Sequence, residues 1–232
     1  RQVGLGERQL FLDDLDVAEI HRLRQTLHHP QKRGAVIRPD VVQNGGGIYQ
    51  VRSMPFWDPE RDRYRYLVVE TGAPTSSSCL WESRDGLNWT PEQVGAGDSF
   101  FFETRLPDGG SFSPYVLLRD EDDPDPARRY KSLRHTGRHL VPATSPDLET
   151  WQQNDDTPMR SADEWNLSHD RKARLFIGTP KVAGVYGRSV GLVTSTDFEH
   201  WTQSKLMFET DELDQELAPE QIRWYLNTPT LY

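Results

Sequence analysis

Apolar and aromatic residues in this chain come in short runs separated by charged turns. Three stretches show it: FWDPERDRYRYLVV from Phe56, RDEDDPDPARRYKSL from Arg119 and LSHDRKARLFIG from Leu167. In each, the turn residues (58 to 64, 123 to 130 and 169 to 175) stand just before an aromatic or apolar strand start, which is hairpin chemistry. A second pattern follows each of them at similar distance. It is SxDxxxW, present as Ser83, Asp85 and Trp89, as Ser145, Asp147 and Trp151, and as Ser195, Asp197 and Trp201. From Asp58 to Asp85 and from Asp170 to Asp197 is 27 residues, and from Asp123 to Asp147 is 24.

Each copy therefore reads as strand, charged turn, strand, loop, strand, SxDxxxW turn, strand. In the third copy the strands fall on EWNLSH, ARLFIGTPKV, RSVGLVTS and TQSKLMFET. Four short antiparallel strands at a period of roughly 50 to 60 residues are what one blade of a β-propeller requires. The expected fold is all-β: a single propeller domain over 1–232, with a lead-in over 1–48, blades over 49–96, 97–160 and 161–210, and the start of a next blade over 211–232. An open β-sandwich of hairpins is the competing architecture. Outside the repeat, QLFLDD suggests an N-terminal strand, and DQELAPEQIRWYL (214 to 226) a short helix, with carboxylates early and apolar residues later. The glycine loops NGGGIY (44 to 49) and PDGGSF (107 to 112) precede first strands and lack the pattern of a phosphate loop.

Composition narrows the field of partners. With 35% hydrophobic residues but seven Trp and 10% aromatics, large rings carry the burial. A net charge of -9 excludes nucleic acid and an anionic membrane surface as natural partners. The single Cys79 excludes an internal disulfide framework and a cysteine-based zinc site. No apolar run approaches the ~20 residues of a membrane helix. Oligomeric state is left open by the sequence.

The SxDxxxW repeat, with Gly, Leu or Phe after the Asp and spaced by a blade, resembles that of the five-bladed propellers of glycoside hydrolase families 32 and 43. The stretches RQLFLDD, DEWNLSHD and YGRSVGLVTSTDFEHW resemble a bacterial group related to them. A sialidase Asp box differs: there Gly falls two residues after the Asp and the aromatic five, whereas here Gly86 is one after Asp85 and Trp89 four. The resemblance implies hydrolysis of O-glycosyl bonds in a poly- or oligosaccharide, without cofactor or metal, by a secreted or periplasmic protein. The alternative is a non-catalytic carbohydrate-binding or scaffold propeller. Three repeats against five imply either the N-terminal part of a longer protein, the favoured expectation, or a ring completed in another way.

Glycosidic hydrolysis needs two carboxyls, one protonated as general acid and one ionised as nucleophile or base. In the related families the acids are distributed over successive blade entrances. The third entrance here offers Asp163 and Glu164, followed by Trp165 and Asn166 to stack on and hydrogen-bond a sugar; the second offers Glu103 and Asp108, the first Asp40. Arg188 is a further sugar-binding candidate. The chain has neither WMNDPNG nor an ECP-like acid, and its ArgAsp pair taken to lie near a blade entrance, Arg119 and Asp120, is followed by Glu rather than Pro. The acids are thus taken by position. His28 and His29 have no further ligand at metal spacing and read as a surface turn. DEDDPDP (120 to 126) reads as a solvated hairpin tip rather than a calcium loop, and no GxSxG nucleophile elbow occurs.

Overall fold

In the computed structural model of the chain, residues 17, 19–24, 26–38, 48–71, 77–92, 104–112, 114–135, 139–154, 159–160 and 165–217 are described. The chain divides into two units, Arg1–Gly34 and Ala35–Tyr232. The described part of the first contains no strand or helix and exposes Ile20, Leu23 and Leu27. The strand expected at QLFLDD lies outside the described residues.

The second unit is all-β. Its first sheet places two short strands, Ile48–Gln50 and Phe56–Asp58, along one edge of Arg63–Thr71, followed by Ser77–Ser83 and Thr90–Pro91. The second runs Val116–Arg119, Tyr130–His135 and His139–Ser145, and its outer edge is again divided, between Gln152–Gln153 and Met159–Arg160. The third is unbroken: Trp165–Asp170, Leu175–Gly184, Gly187–Ser195 and Lys205–Phe208. All pairings are antiparallel and follow sequence order from one edge to the other, as in propeller blades. A separate hairpin pairs Thr104–Arg105 with Ser111–Phe112 ahead of the second blade.

Period-two alternation sets the faces. In Trp165–Asp170, Trp165 and Leu167 are buried while Asn166 and Ser168 are exposed. Side chains of consecutive blades meet in two clusters. One joins Leu67 and Leu80 of the first blade to Leu117, Tyr130, Ala143, Leu148 and Trp151 of the second. The other joins Val116, Leu133 and Leu140 of the second to Trp165, Leu167, Phe176, Val193 and Phe198 of the third. The first strands of neighbouring blades run side by side in the same sense. Ser53 meets the Leu117 amide at 2.6 Å, and further along both strands Asp58 meets Arg119.

The turns follow their chemistry. The four-residue turns 59–62 and 171–174 each end on a residue in the left-handed region, Asp62 (φ 54°) and Arg174 (φ 51°). The second blade replaces this turn with a longer one holding a 3-10 turn, Pro126–Arg128, whose Ala127 amide donates to the Asp125 cap at 2.9 Å. The C-terminal helix spans Glu212–Leu217, starting two residues before the expected 214; the stretch from 218 to 226 lies outside the described residues. It opens on a reciprocal cap. Asp211 accepts from the Leu213 and Asp214 amides, and the Asp211 amide donates to Asp214.

Candidate functional site

The three SxDxxxW segments are one turn built three times. In each, the serine Oγ accepts from the amide after the aspartate: Gly86 at 3.0 Å, Leu148 at 2.8 Å and Phe198 at 2.9 Å. The aspartate Oδ1 accepts from the next two amides, at 2.8 to 2.9 Å in all copies. The tryptophan Nε1 closes the turn by donating to the carbonyl of Gly86, Leu148 or Phe198. That residue has positive φ every time: 73°, 73° and 66°. Glycine adopts this freely; leucine and phenylalanine do so only under constraint. The constraint is burial, since Leu148 is 2% and Phe198 0% exposed, each in a cluster between blades. These amide bonds outweigh burial and hold Asp147 and Asp197 below the usual carboxylate range. All of this is fold chemistry.

At the exit ends of the first strands lie two buried ionic joints. Asp58 receives Arg119 Nη1 of the next blade at 2.6 Å and Arg65 Nη1 of its own at 3.3 Å. Arg65 is shared with Glu92, which Nη2 reaches at 2.7 Å. Burial pulls the Asp58 carboxyl up, but Arg119 and Arg65 prevail and hold it below its ordinary value. In the second joint Lys131 Nζ, fully buried, lies 2.9 Å from Asp120 and 2.8 Å from Asp123, over the rings of Phe176 and Phe198. Arg128 reaches Asp123 and crosses to Glu199 and the Asp197 carbonyl in the third blade. Most of the acids of DEDDPDP are thus directed to the protein's own cations, with Arg171 holding Asp122. Sequence reading set Arg119 near a blade entrance. The structure corrects this: Arg119 ends its strand and enters the joint with Asp58, while Asp120 enters the joint with Lys131.

The positional candidates fare unequally. Asp40, Glu103, Asp163 and Glu164 lie outside the described residues. Asp108 is exposed at the tip of the 104–112 hairpin, where its Oδ1 accepts from the Gly110 amide at 2.8 Å. Trp165 is a correction. It was expected to stack on a sugar, yet it is 0% exposed, its ring set edge-on to Trp201 with centroids 6.1 Å apart and packed on Gly178, because alternation turns it with Leu167 into the core. Asn166, its neighbour, faces the other way and is exposed. Arg188 is exposed as well, opposite Ala183 on the strand whose Thr179 pairs with Asn166. Four residues separate those partners, about 13 Å along the strand. Asn166 and Arg188 therefore do not converge on one sugar. A shallow polar recess lined by Arg63, Glu82, Asp85 and Asn88 sits at the SxDxxxW turn of the first blade, away from the entrances.

The joints were missed by sequence reading. The one signal available was the repeated acid, Asp58, Asp120 and Asp170, each closing a first strand.

By fold, the second unit is a set of consecutive propeller blades. Solved structures with which the chain aligns include an N-acetylgalactosamine deacetylase from F. plautii in complex with blood group B trisaccharide, at 16% identity and TM-score 0.40, covering 68% of this chain and 53% of that one. They include sucrose-6-phosphate hydrolase from Lactobacillus gasseri, at 12% identity and TM-score 0.41, covering 65% and 33%. Fructan 1-exohydrolase IIa from Cichorium intybus aligns at 14% identity and TM-score 0.37, covering 70% and 35%. The chain spans between a third and about half of the length of these three proteins. No protein-family model matches it, and no curated protein sequence does.

Proposed function

We propose that this chain is the propeller portion of a glycoside hydrolase that cleaves an O-glycosidic bond of a poly- or oligosaccharide with a pair of carboxyl groups. The observation that carries the reading is the polarity of the blades. At the exit ends of the first strands, Asp58, Asp120 and Asp123 are tied to Arg119, Arg65 and Lys131. The candidate acids, Asp40, Glu103, Asp108, Asp163 and Glu164, all precede first strands in sequence. First strands that run in the same sense start at one end of the blades, which supports the reading because two-carboxyl hydrolysis needs both acids at one sugar. Glu164 is the proposed general acid, with Asp163 beside it. Asp40 or an acid of the Glu103 to Asp108 segment is the proposed partner. Asn166 contributes to holding the sugar, and a location outside the cytoplasm suits a polymeric substrate.

A non-catalytic carbohydrate-binding or scaffold propeller is favoured instead by two observations: Asp108 spends its carboxylate on its own turn, and Asn166 and Arg188 stand apart. One experiment separates the two readings. Protein is incubated with a broad panel of glycans and aryl glycosides while bound and released sugar are both measured. The hydrolase reading expects release that falls by at least about a hundredfold in Glu164→Gln. Tight binding without release by the unaltered protein would give the scaffold reading instead.

A further inference from the structure

The two ionic joints follow one plan with one replacement. Asp58 pairs across its hairpin with Arg63, and the Asp120 amide donates to the Arg129 carbonyl, so the two acids share a register. Two residues beyond those partners stand the cations of the blade itself, Arg65 and Lys131. Across the joint, each acid meets the residue that precedes the corresponding acid of the next blade. For Asp58 that residue is Arg119, before Asp120; for Asp120 it is His169, before Asp170. Arginine stays charged at any pH a protein experiences, and histidine does not.

The surroundings of His169 favour its neutral form. Its side chain is 7% exposed and its ring lies parallel to Phe176, with centroids 4.3 Å apart; Phe176 belongs to the apolar cluster between the second and third blades. Nδ1 stands 3.7 Å from Asp120 Oδ1, too far for a hydrogen bond. Asp120 is already matched by the Lys131 ammonium at 2.9 Å. The charged groups that act most strongly on the imidazole are Asp120, Asp122 and Lys131 from the second blade and Arg171 from its own, with Asp123 on the far side of the Lys131 ammonium. An imidazolium there would be a second buried cation beside Lys131, and the carboxylate nearest to it, Asp120, is already shared with that ammonium and stands beyond hydrogen-bond distance.

We propose that His169 makes the joint between the second and third blades acid-sensitive, loosening the strand Trp165–Asp170 when it protonates, whereas Arg119 leaves the joint between the first and second blades indifferent to pH over the same range. Burial lowers the basicity of His169 against the opposing pull of Asp120 and Asp122. The folded protein then binds this proton less readily than the unfolded chain. The joint is at full strength above the ordinary histidine value of about 6.5 and weakens as pH falls from there toward the lower folded value.

The test follows the His169 ring by NMR titration and measures amide hydrogen-exchange protection at Leu167 to His169 and at Trp57 to Asp58. The expected result is a His169 midpoint below about 6.5, and protection at 167 to 169 that drops severalfold between about pH 7.5 and about pH 5, with 57 to 58 unchanged. His169→Gln and His169→Arg, the second copying the first joint, should each abolish the drop. A midpoint at or above the ordinary value would overturn the proposal, as would an equal drop in whichever variant folds.

Discussion

At Asp147 one carboxylate accepts from the amides of Glu149 and Thr150 and from the hydroxyls of Ser145 and Thr150. At Asp197 the same amide set recurs, and His200 Nδ1 adds a contact at 2.8 Å. Asp147→Ala strands two turn amides and should lower stability by about 1–2 kcal/mol, read from chemical denaturation. Because both carboxyls are held below their ordinary values, the stability they give is present above about pH 4 and is lost as pH falls toward the folded values. Thermal melting at acid pH should show that loss diminished in the Asp147→Ala, Asp197→Ala double variant. Phe198 sets backbone strain against burial. Phe198→Gly relieves a positive φ but empties the centre of a cluster, and a net loss of about 3 kcal/mol is expected in denaturant unfolding. A gain in stability would mean that the strain outweighs the packing.

Between elements, stability rests on close approach and on matched charge. A Cβ at Gly178 would stand 2.4 Å from Trp165 Cζ2 and 2.8 Å from Val193 Cγ2. Both are held in the core, so Gly178→Ala should cost about 1–3 kcal/mol, measurable as a lowered melting temperature. Asp58→Ala leaves Arg119 and Arg65 facing each other in a buried site, with an expected cost of about 3–5 kcal/mol; the Asp58→Leu, Arg119→Met pair should regain most of it. Equal instability of single and paired variants in denaturation would show that the charges themselves are needed. These contacts explain what the sequence could and could not reveal. Turns such as 83–89 and hairpins such as 170–175 were legible because every bond in them spans a few residues. Asp58 and Arg119 are 61 positions apart, and nothing local marks them as partners. Trp165 was misread although its signal was present: Trp165 and Leu167, two apart, define a core face, and Asn166 necessarily points the other way.

For the molecule as a whole, the repeat sets the architecture, and the proposed chemistry falls on the segments between blades. Strand order and the all-β class could be read from alternation and spacing, because a blade is a local meander. Of the candidate site, only the position of its acids before first strands could be read, since their convergence depends on how blades are set around a channel. The chain's acids therefore divide into two kinds: Asp197 and its counterparts, which build the fold, and Glu164 and its partner, which are proposed to act on sugar. Asp197→Ala and Glu164→Gln, compared side by side for melting temperature and for sugar release per folded molecule, test that division most directly. The account predicts that Asp197→Ala melts lower with release unchanged, and that Glu164→Gln melts as the parent with release lost. Unchanged melting with lost release in Asp197→Ala would contradict it.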